Sequence, residues 1–135
     1  MNVIVTDAGF GPETFEQRFV PLDAADGATR VFDLPSNADP DHLPDIARRA
    51  EAIRIAFPSF ADGRGFTLAR RLRLLGFQGR LRAHGHVLAD QYAMARRAGF
   101  DEVEIDAELA ARQPEAQWRA RADWQAHDYR TRLLV

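Results

Sequence analysis

Along this chain, short alternating apolar runs and stripes at helical spacing take turns. Val3-Ile4-Val5 is the first run, ended by Asp7 and the punctuation Gly9-Phe10-Gly11-Pro12. Residues 13 to 30 mix acids, Pro21 and Gly27 with isolated apolars and read as loop, with a short strand around Phe19-Val20. Val31-Phe32-Asp33-Leu34 is a second strand, broken by Pro35-Ser36-Asn37. Asp39-Pro40-Asp41 then offers an acidic cap and an early proline. Leu43, Ile46, Ala47 and Ala50 follow at the i, i+3, i+4, i+7 spacing of one buried helix face.

From there the pattern repeats. Ala47-Arg48-Arg49-Ala50 precedes a strand at Ile53 to Phe57, Ala69-Arg70-Arg71-Leu72 one at Leu81, and Ala95-Arg96-Arg97-Ala98 one at Val103. The helix over Thr67 to Leu75 and the one before Val103 end in Gly76-Phe77 and Gly99-Phe100. A glycine stop followed by an apolar residue can fold back on the last turn. Alternating helix and strand signals predict an α/β fold of repeated βα units with a mainly parallel sheet. The chain reads as one domain: 1–40 irregular with short strands, 41–106 a βα repeat core, 107–135 a C-terminal helix and tail. Ala107 to Arg121 is helical in composition, interrupted at Gln113-Pro114. The aromatic tail with Trp118, Trp124 and Tyr129 is expected to lie across the domain or a partner, with a closing strand at Thr131 to Val135.

The core strands alternate apolar with charged or small residues: Ile53-Arg54-Ile55-Ala56, Arg80-Leu81-Arg82-Ala83, Val103-Glu104-Ile105-Asp106. A parallel sheet covered on both faces reads as continuous apolar residues instead. Helices are therefore expected mainly on one face, with Arg54, Arg80, Arg82, Glu102 and Glu104 on the other, arginine and glutamate free to pair. Such a face suits the lumen of a partial (β/α) barrel, a surface closed by a second subunit, or strand ends in solvent.

Composition narrows the chemistry. Apolar residues make up 46% and charged residues 28%, with a net charge of −2, so no global field draws the chain to nucleic acid or an anionic membrane. Cysteine is absent, which removes disulfides, thiolate catalysis, iron–sulfur ligation and cysteine-based zinc sites. All 18 basic residues are arginine, which excludes Schiff-base and P-loop lysine chemistry. No stretch nears the length of a membrane span, and a cytoplasmic location is the expectation.

Ligands of parallel α/β sheets bind beyond the carboxyl ends of the strands. Three such loops can be read: Ser59 to Gly65, His84-Gly85-His86, and one beginning at Asp106. In the first, Asp62-Gly63-Arg64-Gly65 brings Arg64 and several amides to a helix start, an arrangement suited to a small anion. Plain turn geometry, with Arg64 paired to Asp62, is the competing reading. His84 and His86 could supply acid/base chemistry, with Asp90-Gln91 a helical turn later. Two histidines without cysteine fall short of a metal site. No GxGxxG, Walker or GxSxG motif occurs, so no cofactor is encoded by a recognisable motif.

The run from Phe57 to Phe66, with Leu68-Ala69-Arg70, Leu72-Arg73, Gly76-Phe77, Gly79, Leu81-Arg82-Ala83, Gly85, Val87-Leu88, Asp90-Gln91 and Arg97 to Asp101, resembles one bacterial family. It is the domain-of-unknown-function family 934, encoded beside sulfite reductase in sulfate-assimilation gene clusters. The resemblance covers residues 45 to 106 as three motifs in order. Its members are usually labelled oxidoreductases of sulfite reduction, so the resemblance implies a pathway rather than a mechanism. The signature carried over is Asp62, Gly63, Arg64, Gly65, Arg70, Arg82, Gly85, Asp90 and Gln91. The family pattern has an acid in place of His86 and a glutamate in place of Arg80.

The expectation is an accessory protein of sulfite reduction that binds a small oxyanion or sulfite reductase itself, and forms a homodimer. Its ligand-binding set is Ser59, Asp62, Gly63, Arg64, Gly65, Arg82, His84, Asp90 and Gln91. The alternative is an enzyme acting on a small phosphorylated or sulfated metabolite, with His84, Asp62 or Asp90 as acid or base.

Overall fold

The computed structural model describes residues 2–127. Seven strands form one sheet: β1 (Val3–Thr6), β2 (Gly9–Gly11), β3 (Val20–Pro21), β4 (Val31–Leu34), β5 (Ala52–Phe57), β6 (Arg80–Gly85) and β7 (Glu102–Ile105). Five α-helices accompany them among the described residues: α1 (Leu43–Arg49), α2 (Arg64–Leu74), α3 (Tyr92–Ala98), α4 (Ala107–Arg112) and α5 (Glu115–Arg119). The strand order is β2-β1-β7-β6-β5-β4-β3. Strands β3 to β7 run parallel, while β1 pairs antiparallel with both β2 and β7.

The local signals act as their chemistry dictates. The Asp39 carboxylate accepts from the Asp41 amide and opens a 3₁₀ turn, Pro40–His42, that feeds α1. Helices α2 and α3 both end in a Schellman motif. Phe77 and Phe100 donate their amides to Leu72 and Ala95 at 3.0 Å, and both rings fold into the core. The inward sides of β5, β6 and β7 present Ile53, Ile55, Phe57, Leu81, Ala83, Val103 and Ile105 to a core completed by residues from all five helices. Trp118 closes this core, 1% exposed, its indole nitrogen donating to the Gln113 carbonyl at 2.8 Å. Trp124 also lies on the domain, beneath Arg96 and against Asp7. The closing strand expected at Thr131 to Val135, and Tyr129, lie outside the described residues.

The opposite face carries a row of charge. Asp33, Arg54, Arg82 and Glu102 stand in register across β4 to β7. Arg82 is wholly buried. Its Nε meets Glu102 at 2.5 Å and one terminal nitrogen meets Glu104 at 2.9 Å. The other terminal nitrogen reaches Glu13 at 2.8 Å. Arg54 bridges Asp33 at 2.7 Å and Glu104 at 3.2 Å, and Arg80 holds Glu102 at 2.8 Å.

The partial barrel requires correction: the sheet stays open, with β2 and β3 at its edges. Those edges are only three and two residues long, and β3 ends on Pro21, so neither offers a ladder for closure. The space a lumen would occupy is filled by the chain's own residues 13–19. Phe19 lies over the guanidinium groups of Arg54 and Arg82, at 4.8 and 5.1 Å, and Phe15 over Arg80 at 5.4 Å. The Thr14 hydroxyl accepts from Arg80 at 3.0 Å. One aromatic strap therefore roofs a face whose charges are already paired.

Replacing Arg82 by Met leaves the buried Glu102 and Glu104 each one cation short, and we expect urea unfolding to show a loss of about 3–5 kcal/mol. The Arg82 guanidinium holds the Glu13 carboxyl down at about 2 against an ordinary 4.5. A depressed carboxyl contributes stability above its unfolded value and loses it as pH falls through the folded one. Melting temperature should thus drop as pH falls from 4.5 toward 2. Glu13→Gln should flatten that limb, and an unchanged slope would refute the pairing.

Candidate functional site

The carboxyl ends of β5, β6 and β7 carry the three loops expected to hold a ligand, and the structure sorts their residues into separate groups. In the first loop the Asp62 carboxylate grips Arg64 in a fork, 3.0 Å to Nε and 2.7 Å to a terminal nitrogen, and also accepts the Arg64 amide at 3.1 Å. The same guanidinium donates to the Ser36 hydroxyl at 3.1 Å. That hydrogen bonding from Arg64 holds the Asp62 carboxyl well below its usual range, and Asp62 raises Arg64 in turn. Ser59 is exposed and its carbonyl accepts from the Asp62 amide, closing the turn. Gly63 has a φ of −89° and open space where a side chain would stand. Gly65 is different: a Cβ there would sit 2.5 Å from the Phe57 ring, so this glycine lets α2 settle on β5.

The second loop turns at Gly85. Its φ of +114° is a left-handed conformation, and a Cβ would stand 2.7 Å from the Phe57 carbonyl. The turn lets the His86 amide donate to that carbonyl at 2.9 Å. It sets the His86 ring edge-on to Phe60, 5.0 Å between centroids. Gln91 ties the loops together: its Oε1 accepts from the Leu88 amide at 2.8 Å and its Nε2 donates to the Phe60 carbonyl at 3.1 Å. Asp90 points away, 2.8 Å from Arg121. Arg82 lies on the far face within its carboxylates, with no exposed atom to offer a ligand.

What the loops do bring together is a polar cavity of about 210 Å³, lined by Asn2, Phe60, His84, Gly85, His86, Asp106, Glu108, Leu109 and Arg112. His84 is one-third exposed at its edge, with Nε2 3.4 Å from Glu104. Burial lowers the His84 pKa. Glu104 pulls it up, and Arg54 and Arg82 push it down again, so the ring is neutral at neutral pH. Asp106 caps α4 by accepting the Leu109 amide at 2.8 Å. Arg112 is exposed and makes no hydrogen bond or ion pair with any described residue. Asp62 and Arg64 do not line this cavity. No group of three or more His, Asp or Glu side chains that could hold a metal occurs among the described residues.

Sequence reasoning located the loops but missed Asn2, Glu108 and Arg112. The third loop was marked at Asp106, and continuing one helix face from there, through Glu108 and Leu109 to Arg112, would have found two of them. Asn2 had no such signal. It arrives through the antiparallel pairing of β1 with β7, where its amide donates to Glu104 at 2.6 Å.

The chain belongs to a family of bacterial proteins of unknown function, DUF934, whose model matches residues 32–132. No curated protein and no solved structure matches the chain. Among the described residues no helix is long and apolar enough to cross a membrane.

A proton NMR titration of the His84 ring should give a midpoint below 6.5. Glu104→Gln removes the main group that favours the imidazolium, so it should move the midpoint lower still. A rise in that variant would refute the pairing of the two side chains.

Proposed function

Membership of a family without an assigned activity leaves the site to speak, and we propose that the chain is an accessory protein of assimilatory sulfite reduction that holds a small oxyanion at the carboxyl ends of β6 and β7. The observation that carries this reading is the cavity between the second and third loops, with Arg112 unpaired among the described residues at its wall. Its volume is below that of ordinary metabolite pockets and suits an ion of a few atoms. His84 and His86 add ring nitrogens, and Arg112 supplies a planar donor fork matched to sulfite, sulfate or phosphate. Arg64, held by Asp62 and Ser36 but more than half exposed, stands outside the cavity as a second cation of the same rim. The sulfur connection, and sulfite reductase as protein partner, rest on the resemblance carried by residues 45–106.

A second reading has an observation of its own. The His84–Glu104 contact at 3.4 Å presents a neutral imidazole backed by a carboxylate at a cavity edge. That pair suits general acid/base work on a small phosphorylated or sulfated metabolite. In this reading Arg112 holds the anionic group while His84 moves a proton.

Isothermal titration with sulfite, sulfate and phosphate separates the possibilities. Binding of at least one anion, weakened about tenfold or more by Arg112→Ala, is the expected result. No heat with any of the three, or binding unchanged in that variant, would sink the proposal. Intact anion binding in His84→Gln favours the binding protein, and turnover of a phosphate or sulfate ester that vanishes in that variant favours the enzyme.

A further inference from the structure

The alternation of the strands left room for a second subunit on the polar face, but residues 13–19 of the same chain fill that space. The apolar surface that remains open lies on the helical layer. At the last turn of α2, Leu74 is 86% exposed and Leu75 48% exposed. An isolated exposed leucine needs no explanation, but this one stands beside a groove of about 250 Å³ between α1 and α2. Pro40, Leu43 and Pro44 line one side of the groove, and Arg71, Leu74 and Leu75 the other. Leu43, 1% exposed, is its floor. A protruding leucine next to an apolar hollow on one surface is self-complementary, which a twofold axis requires.

The charges at the rim have the same character. The Arg71 side chain makes no hydrogen bond or ion pair with any described residue, nor does that of the neighbouring Arg70. On the α1 side, the Asp41 carboxylate is equally unengaged among the described residues. Arg71 lines one wall of the groove and Asp41 follows Pro40 of the other wall in the chain, so two copies in antiparallel register bring opposite charges together. An acidic helix from another protein would satisfy Arg70 and Arg71 but would meet Asp41 with like charge.

We propose that the α1–α2 groove is the interface of a symmetric homodimer. Leu74 of each protomer enters the partner's groove, and Arg71 of each meets the partner's Pro40–Pro44 wall beside Asp41. The inference is independent of the anion site, which lies at the strand ends.

Sedimentation velocity on the full chain over about 1–100 μM tests it. The expected species has twice the 15.2 kDa mass of the chain. Leu74→Glu should weaken association about tenfold or more with an unchanged far-ultraviolet dichroism spectrum, because an 86% exposed side chain carries little of the fold. Asp41→Arg should also weaken it, and combining that change with Arg71→Asp should restore it. A monomeric wild type throughout the range overturns the proposal and assigns the groove to a different protein. A dimer that persists in Leu74→Glu overturns it as well.

Discussion

The interaction on which the structure depends is the burial of one guanidinium, that of Arg82, in the middle of a parallel sheet. Such a group is tolerable there only if every direction in which it donates is met. Glu102 and Glu104 come from the adjacent strand and Glu13 from the N-terminal strap. Two of the three are placed by sheet register alone. The third obliges an otherwise irregular segment to cross the sheet, and Phe15 and Phe19 follow it onto the neighbouring arginines. A polar sheet face thereby becomes an interior without a second layer of helices.

Glu104 couples this interior to the cavity. It accepts from Arg82, Arg54 and Asn2, and also faces His84. The ionised carboxylate is fixed by its three donors, so the imidazole meets an oriented acceptor rather than a mobile one. The candidate site is built on strand ends and a glycine turn pinned to Phe57, which sets its rings on regular structure rather than on a free loop. The Asp62–Arg64 fork, by contrast, is a turn device at the surface, tied to Ser36.

Much of the architecture was legible in the residues. The Gly-Phe pairs announced helix ends because a left-handed stop and a fold-back apolar residue leave a local signature. The alternation in β5 to β7 announced two unlike faces because side chains on a strand alternate sides. What covered the polar face was not legible, since Glu13, Phe15 and Phe19 lie in a stretch with no period of its own and act through contacts nearly seventy residues away. Strand β2 was hidden by its glycines, and its place was set by pairing with β1 rather than by propensity. For the cavity, the loops that frame it were readable and its lining was not. The loops after the strands were found from topology, but whether Arg82 faced a ligand or its own carboxylates depended on which way a single strand residue pointed.

The insertion of β1 between β2 and β7 bears on how this protein comes into being. Strand β1 has as its central partner β7, about a hundred residues later, as the bond from Asn2 to Glu104 measures. The βα core can assemble as it emerges, each strand beside its predecessor. The N-terminal hairpin must wait in the meantime, with one edge unpaired. Closure of so long a loop belongs among the slow steps of folding, and it is the step that brings Asn2 to the cavity wall. The cavity is therefore completed late, once β7 is in place and β1 has paired with it.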